Sequence, residues 1–385
     1  MKISIDASRY GFGFSTGVEW YSFHIINGIL KNKGLFKGND VCLYTNNPKF
    51  ELEKSVLEFL KKNELNLEIK YIKGKRFWTL IHLSFEILKN KPDLLFVPSH
   101  TFPLILPKHS VIMIHDLVFK RYKEAYSFFQ RFYLNWSTKF AVKHASKILV
   151  PSQTTKNDLH DFFNCPLKNI DIIYHGFSKM EISKQEYEND ILNSPAIKHF
   201  NISNEKKYLF FIGRIETKKN ILNMLKAFKD VHDKYPDFNF VLSGKRGFGF
   251  KSILKYCEDN DLMNCVYFTG YINESEKRYL YENSFLFVFT TLFEGFGLPI
   301  LESFYYKKPV VSSNIGAQKE ISSDAAFLVD PGNYNEIRDA ILKLIEDTKL
   351  YNEFVEKGLK RLNSFDWEKA SIDTLNTLMK YNAKH

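Results

Sequence analysis

Cysteine is scarce in this chain of 385 residues, which contains only Cys42, Cys165, Cys257 and Cys265. No two of them form a C-x-x-C pair, and none lies near paired histidines at the spacing that is typical of zinc. The pattern therefore excludes a zinc module and a disulfide framework. It predicts reduced thiols and a cytoplasmic location.

Long hydrophobic runs are also absent, since no apolar stretch reaches the roughly eighteen residues that span a bilayer. The opening residues MKISIDASRY place an aspartate inside a short apolar run, so we expect no signal peptide. A chain with 44% apolar residues and no long polar tract is typical of a folded protein.

Positive charge is in excess, because the sequence contains 54 Lys and Arg residues but only 44 Asp and Glu residues, which gives a net charge of +10. Such a charge attracts phosphates, nucleic acid or an anionic bilayer, and its sign does not choose among them. A nucleic-acid-binding protein would also need a recognisable reader module. The sequence contains none, so nucleic acid is not a predicted partner.

Short apolar runs alternate with amphipathic stretches along the whole chain, which predicts α/β architecture. The length favours two domains, each a Rossmann-like, doubly wound parallel sheet. We predict an N-terminal domain over 1–177, a polar linker over 178–207 and a C-terminal domain over 208–365. A final helix over 366–385 is expected to pack back on the N-terminal domain.

One candidate site lies in FTTLFEGFGLPILESF, where Glu294 and Glu302 flank Gly295, Gly297 and Pro299. The strand SFLFVFT precedes this bend, and Pro299 suits the first position of a following helix. Such a turn lies at the carboxyl edge of a parallel sheet, where a helix N-terminus favours a phosphate. The carboxylates would accept hydrogen bonds from sugar and ribose hydroxyls. Alternatively, Glu294 caps the helix and Glu302 is solvated.

A second candidate site is FFIGRIETKKNI, in which a strand ends at Gly213 and is followed by Arg214 and Lys219. Two cationic side chains on one short loop suit a diphosphate whose negative charge grows as it departs. A solvated basic loop is the alternative.

The N-terminal loop GFGFSTG contains Gly11, Gly13 and Gly17, but its spacing differs from the dinucleotide fingerprint G-x-G-x-x-G. No acidic residue follows the strand VCLYT to hold an adenosine ribose. A nicotinamide-dependent dehydrogenase is therefore disfavoured.

Together, GRIETKKN and EGFGLPILE closely resemble the signature of family-4 retaining glycosyltransferases. Segments such as VIMIHDLVF, GAQKEISSDAAFLVDPGN and FDWEKAS extend this resemblance, in family order, over nearly the whole chain. The resemblance implies the GT-B fold, in which two Rossmann-like domains face a cleft. It also implies retaining transfer of a hexose from a nucleotide sugar.

The resemblance further implies roles for individual residues. Glu294 would contact the donor sugar, Glu302 the nucleotide ribose, and Arg214 and Lys219 the diphosphate. His115, in IHDL, would face the donor sugar from across the cleft, although a buried structural histidine is the alternative. We thus assign catalysis to His115, Arg214, Lys219 and Glu294. The other donor-binding candidates are Gly17, Gly213, Tyr271, Phe296, Gly297, Leu298 and Glu302.

No cofactor is predicted beyond the donor as co-substrate, and no metal, because Arg214, Lys219 and helix N–H groups would supply the positive field. A resemblance to bacterial mannosyltransferases of surface polysaccharide synthesis makes GDP-mannose the first donor candidate, followed by UDP-hexoses. Two alternatives stay open. In the first alternative, the protein is a synthase that acts on a soluble sugar phosphate. In the second, it binds nucleotide sugars without catalysis.

The acceptor is predicted to be a saccharide or lipid-linked saccharide bound by the first domain. There, FKRYKEAYSFFQRFYLNWSTKFAVKHASK interleaves aromatic with basic residues, a pattern found in helices at membrane interfaces. We therefore expect peripheral attachment to the inner face of an anionic cytoplasmic membrane. Packing of these aromatic side chains into the core is the alternative.

Overall fold

Two parallel sheets organise the protein, whose computed structural model describes residues 1–11, 16–74, 76–178, 182–199 and 207–381. Gly13 of the N-terminal loop lies outside these ranges. The chain divides into a first unit, Met1–Gly176 with Asp366–His385, and a second unit, Phe177–Phe365. The α/β class and the doubly wound parallel sheets predicted from the sequence are confirmed.

The sheet of the first unit has seven parallel strands in the order β3-β2-β1-β4-β5-β6-β7. Its central strands are buried on both faces, which explains why they read as continuous apolar runs. The strands are β1 Lys2–Asp6, β2 Asp40–Thr45, β3 Leu67–Tyr71, β4 Leu94–Val97, β5 His109–Met113, β6 Lys147–Val150 and β7 Ile170–Ile172.

Helices cover both faces of this sheet, and some of them begin at side-chain caps. Ser127, for example, accepts a hydrogen bond from the Gln130 backbone N–H at 3.3 Å, and Ser152 accepts one from Thr155 at 3.2 Å. The helices are α1 Gly17–Leu30, α2 Lys33–Phe36, α3 Lys54–Lys62, α4 Leu83–Asn90, α5 Val118–Arg121, α6 Phe128–His144 and α7 Gln153–Phe163. A π-helical turn, Trp78–His82, leads into α4.

The sheet of the second unit has six parallel strands in the order β10-β9-β8-β11-β12-β13. In each sheet, the carboxyl ends of all the strands therefore lie at the same edge of that sheet. The strands are β8 Tyr208–Ile212, β9 Asn239–Ser243, β10 Val266–Gly270, β11 Leu286–Phe289, β12 Val310–Ser313 and β13 Phe327–Val329.

Nine α-helices belong to the described part of the second unit. They are α8 Lys184–Asn193, α9 Pro195–His199, α10 Ile221–Lys234, α11 Phe250–Asp259, α12 Glu274–Asn283, α13 Leu298–Tyr305, α14 Gly316–Ser322, α15 Tyr334–Glu346 and α16 Thr348–Leu362. Across all the residues that the structure describes, none of the helices combines the length and the apolar character needed to cross a lipid bilayer.

The segment 178–207, predicted as a polar linker, contains α8 and α9 within the second unit. Ser183 caps α8 by accepting a hydrogen bond from the Glu186 N–H at 3.2 Å. Ser194 donates a hydrogen bond to Glu276, and Ile197 packs into the core. None of the side chains of α8 is fully buried. Its sequence therefore did not need the apolar stripe by which a packed helix is usually recognised, and the helix was not predicted.

The last helix, α17 Trp367–Met379, belongs to the first unit and packs against α1. The two helices approach closely at Gly28, where a Cβ atom would lie 2.0 Å from the Ser371 Oγ. Trp367, Leu375 and Leu378 share one apolar core with the buried side of α1. The chain thus returns to complete the first unit.

We expect Trp367→Ala to destabilise the first unit by about 3 kcal/mol, because the indole is buried and its removal leaves a cavity. Urea unfolding followed by circular dichroism measures the change. Ile372→Ala, on the exposed side of α17, is the matched control and should shift stability by less than about 0.5 kcal/mol. Equal stability of the two variants would contradict the role of α17.

Candidate active site

The two predicted motifs of the second unit meet at the point where its strand order reverses. β8 and β11 are neighbours in the sheet, but the chain continues from β8 to one side and from β11 to the other. Loops that diverge in this way leave a crevice at the carboxyl ends of the strands, where open α/β sheets bind ligands. Gly213, Arg214 and Lys219 follow β8, and Glu294 follows β11.

Lys219 and Glu294 form an ion pair in this crevice, although they are 75 positions apart in the sequence. The Lys219 Nζ donates a hydrogen bond to the Glu294 Oε1, and both side chains are mostly buried. The interaction contradicts the alternative that Lys219 belongs to a solvated loop. A cation is thereby held beside the carboxylate predicted to contact the donor sugar.

The position of Lys219 is set by the short 3₁₀ turn Thr217–Lys219 and by Asn220, whose φ is +61°. The Asn220 side chain donates hydrogen bonds to the Thr290 carbonyl at 2.9 Å and to the Pro331 carbonyl at 2.7 Å. The buried asparagine therefore anchors the loop after β8 to the end of β11.

Arg214 lies on the same loop but points to solvent, with 65% of its side chain exposed. Its Nε is 3.9 Å from the Glu216 Oε2, whereas Lys218 Nζ approaches the other Glu216 oxygen to 3.1 Å. Lys218 therefore makes the shorter ion pair with the buried Glu216. The exposed guanidinium remains accessible to an anion.

The turn before α13 depends on Gly297, whose φ of +113° is strained for any residue with a Cβ. Leu298 is the first helical residue, so Pro299 occupies the second position rather than the predicted first. Phe296 is buried beneath the turn and contacts Phe365. Pro299 has no N–H, and the Ile300 N–H donates to the Gly297 carbonyl at 3.0 Å, so an anion at the start of α13 would meet the N–H groups of Gly297 and Leu298.

Glu302 is held by two side chains of α12. The Lys277 Nζ donates to its Oε1 at 2.9 Å, and the Tyr281 hydroxyl donates to its Oε2 at 3.0 Å. Burial alone lowers the pKa of Lys277, but the carboxylates of Glu302 and Glu274 outweigh it and hold that pKa above the ordinary value. Glu302 is thus held by an ion pair and a hydrogen bond rather than solvated.

Lys277 and Tyr281 were not singled out in the sequence. They lie four positions apart on α12, so ESEKRYLYENS does place them on one helical face. Only the packing of α12 beside α13 shows that this face meets Glu302. Burial, and then the charge of Glu302, raise the pKa of Tyr281, so its hydroxyl stays a hydrogen-bond donor.

Tyr271 follows β10 and is half-exposed at the same sheet edge. The Lys245 Nζ lies 5.1 Å from the centroid of its ring, in a cation–π contact. Tyr271 therefore sits beside the strand end where the resemblance locates the nucleotide base. Its role in base binding stays a prediction.

His115 and Gly17 belong to the first unit, whereas the other predicted site residues belong to the second. Gly17 is the exposed first residue of α1. The His115 ring is buried after β5, with its Nε2 3.1 Å from the Pro98 carbonyl oxygen. His100 and His175 lie near it, with ring centroids 5.1 and 5.4 Å away. Burial, and then these histidines, lower the pKa of His115, which favours a neutral imidazole.

Two protein-family models match this chain, one in each unit. The model for glycosyl transferases group 1 matches residues 194–361, and the model for glycosyltransferase family 4 matches residues 16–179. The chain belongs to the family-4, group 1 glycosyltransferases. The predicted family is therefore confirmed over both units.

Among curated relatives, O-antigen chain mannosyltransferase B of Escherichia coli is 27% identical over 248 residues, which are 63% of this chain and 63% of that one. O-antigen chain mannosyltransferase RfbU of Salmonella typhimurium is 26% identical over 266 residues, covering 69% of this chain and 68% of its own length. The chain thus spans about two thirds of the length of these relatives.

Solved structures identify the fold. Anabaena HepE in complex with UDP and glucose covers 99% of this chain and 100% of its own, with a TM-score of 0.67 and 18% identity. Sucrose-phosphate synthase from Thermosynechococcus elongatus covers 100% of both chains, with a TM-score of 0.72 and 16% identity. These likenesses confirm the predicted GT-B fold, and the roles of the individual site residues stay predictions.

We expect the first unit to lose stability as the pH falls from 7 to 5, because it buries histidines in the neutral form. Burial lowers the pKa of His24 to about 4 and that of His175 to about 3, whereas an unfolded histidine titrates near 6.5. The unfolded chain therefore binds more protons below pH 6.5. The full stability is present above that pH, and each histidine costs about 2 kcal/mol by pH 5.

Urea unfolding at the two pH values measures this loss. His24 stacks on Trp367 with ring centroids 4.7 Å apart, so His24→Phe should keep the aromatic contact while making the pH dependence shallower. An unchanged pH dependence in this variant would argue against a neutral, partly buried His24.

Proposed function

We propose that the protein is a retaining hexosyltransferase that uses a nucleotide-diphosphate sugar and a saccharide or lipid-linked saccharide acceptor. The observation that carries this proposal is the Lys219–Glu294 pair, which two separate motifs assemble at the strand-order reversal of the second unit. In this proposal the cation compensates the charge of the diphosphate, and the carboxylate accepts hydrogen bonds from the sugar hydroxyls.

The diphosphate is proposed to bind between the loop after β8 and the first turn of α13. Arg214 is exposed and offers a planar, bidentate donor, whereas Lys219 is mostly buried and offers a fixed positive charge. The backbone N–H groups of Gly297 and Leu298 add the positive end of the helix dipole. Together these groups would offset the charge that builds on the departing diphosphate.

The two glutamates are proposed to bind the neutral hydroxyls on either side of the diphosphate. Glu294 would accept hydrogen bonds from the donor sugar, and Glu302 from the ribose. Each Glu302 oxygen already accepts one hydrogen bond, but a carboxylate oxygen has a second lone pair for a ribose hydroxyl. Lys277 and Tyr281 would then act as positioning residues that keep Glu302 in place.

In the proposed reaction, the bond between the anomeric carbon and the diphosphate oxygen breaks, and a new bond to the acceptor oxygen forms with the configuration kept. The acceptor hydroxyl gives its proton to the departing diphosphate oxygen, and the nucleoside diphosphate leaves. We propose His115, as a neutral imidazole, for a contact to a hydroxyl of the donor sugar. No enzymic nucleophile is proposed.

The relatives suggest the sugar. Two similar proteins are named as O-antigen mannosyltransferases, which makes mannose from GDP-mannose the first candidate. A structural neighbour was solved with UDP and glucose, which keeps UDP-hexoses as the second. The O-antigen relatives also support an acceptor of surface-polysaccharide type.

A synthase acting on a soluble sugar phosphate is the second candidate function. It is favoured by the likeness to sucrose-phosphate synthases, one of which has a TM-score of 0.72 over the whole chain. A rice relative, probable sucrose-phosphate synthase 4, is 27% identical over 47% of this chain and 18% of its own length. The two functions differ in whether the acceptor is a saccharide or a free sugar phosphate.

We expect the protein to release GDP or UDP from one nucleotide sugar in a panel, more rapidly with a lipid-linked saccharide extract than without it. Lys219→Ala and Glu294→Ala should each lower the rate by at least about 100-fold, because each leaves a buried charge unpaired and removes a contact to the donor. Coupled detection of the nucleoside diphosphate measures the rate.

Lys229→Ala is the matched control, since Lys229 pairs with Asp233 along α10, and its rate should equal that of the wild type. Stimulation by free sugar phosphates rather than by the extract would establish the synthase. Donor binding without release by any acceptor would establish a binding protein and refute the transferase.

We expect turnover to persist in excess EDTA, because the proposed positive field comes from Arg214, Lys219 and the α13 backbone rather than from a divalent cation. The same release assay, run with EDTA and then with added magnesium, measures this. Complete loss of turnover that magnesium restores would show that a metal is required.

A further inference from the structure

An apolar stripe lies exposed on α4 and the turn before it. Phe77, Ile81, Phe85 and Leu88 recur at intervals of four, four and three residues. Phe77 precedes the π-helical turn, Ile81 lies within it, and Phe85 and Leu88 share one side of α4. All four are exposed, with Phe85 at 66%. The opposite face packs into the core through Trp78, Leu83 and Ile87. Both faces of this helix are therefore apolar, but only one is covered within the unit.

A second exposed apolar stripe lies on α6. Phe128, Phe129 and Phe132 are strongly exposed, with Phe129 at 81%, and Tyr133 and Trp136 are about half as exposed as Phe129. The buried positions of α6 are instead Ser137, Thr138 and Ala141. The alternative that these aromatic side chains fill the core is therefore wrong for the most exposed of them.

The loop 99–107 joins the two stripes. Ser84 of α4 accepts hydrogen bonds through its Oγ from the backbone N–H of Leu104 at 2.8 Å and of Ile105 at 3.3 Å. At the other end of the loop, the Thr101 hydroxyl lies 3.5 Å from the Tyr133 hydroxyl of α6. Leu104 is itself exposed between them. The stripes and the loop thus belong to one surface of the first unit.

The charge on the two helices is mainly positive, although Glu124 before α6 and Asp93 after α4 are also exposed. α6 contains Arg131, Lys139 and Lys143 and no acidic residue. Lys89 and Lys91 are exposed at the end of α4. The acidic residue of α4, Glu86, pairs with Lys70 at 2.5 Å and is mostly buried. A partner that covers the stripes therefore meets an apolar centre flanked by ammonium and guanidinium groups.

We propose that the exposed faces of α4 and α6, with Leu104 between them, form a docking surface for an anionic lipid bilayer. The phenylalanine and leucine side chains enter the boundary of the acyl chains, and the basic side chains contact lipid phosphates. Tyr133 and Trp136, less exposed and carrying polar atoms, match the headgroup level. This surface lies in the first unit, so the proposal is independent of the donor chemistry proposed for the second.

The test is co-sedimentation of the full chain with phosphatidylcholine vesicles that contain or lack phosphatidylglycerol. We expect binding to the anionic vesicles, weakened by salt, and little binding to the neutral ones. The double variants Phe85→Ser/Leu88→Ser and Phe129→Ser/Phe132→Ser should each reduce the partition coefficient at least about tenfold, because each removes two side chains that would be buried in lipid. Leu192→Ser, at a 68% exposed site on α8 in the second unit, is the matched control and should bind as the wild type.

All of these substitutions replace exposed side chains, so circular dichroism and release of nucleoside diphosphate from a water-soluble donor should be unchanged. Absence of binding by the wild type to anionic vesicles would overturn the proposal. So would binding that both double variants retain. Self-association that the double variants abolish, in a protein that ignores vesicles, would show instead that the surface joins two copies of the chain.

Discussion

The parallel pairing of β8 with β11 is the constraint on which the candidate site depends. These strands are adjacent in the sheet but far apart in sequence, and the chain leaves them in opposite directions. Their two loops are therefore forced to flank one crevice. Asn220 secures this arrangement by bonding the β8 loop to the carbonyl at the end of β11. Without that register, Lys219 and Glu294 would be unrelated charges on separate loops.

Two carboxylates beside the proposed diphosphate site would repel the diphosphate, and their ion pairs offset that repulsion. Glu294 is paired with Lys219, and Glu302 with Lys277. Each carboxylate thus keeps its ability to accept hydrogen bonds while its charge is balanced locally. The exposed Arg214 and the N-terminus of α13 then add positive potential. The proposed donor site of the second unit consequently combines carboxylates that can accept hydrogen bonds with cationic and N–H groups that can donate them.

The first unit differs from the second in the residues at its sheet edge and on its outer helices. Its sheet edge holds neutral, buried histidines around His115, whereas its outer helices expose aromatic side chains among basic ones. Burial lowers the pKa of the histidines at the edge, and the exposed aromatic side chains of the helices form the proposed docking surface. The return of α17 completes this unit, since Trp367 packs beside Tyr21 and His24. The first strand, β1, and the last helix, α17, therefore share one apolar core in the first unit.

Local patterns in the sequence were sufficient for the α/β class, the two parallel sheets and the motifs around Arg214 and Glu294, because strand periodicity and strand-to-helix turns depend on neighbouring residues. The family followed from those motifs. Tertiary structure decided the rest. Lys277 and Tyr281 reach Glu302 only through the packing of α12 on α13, and α8 forms in a segment too polar to reveal a buried stripe. Likewise, a stretch of alternating aromatic and basic residues does not show which face of α6 is covered, because burial depends on the elements that pack against it.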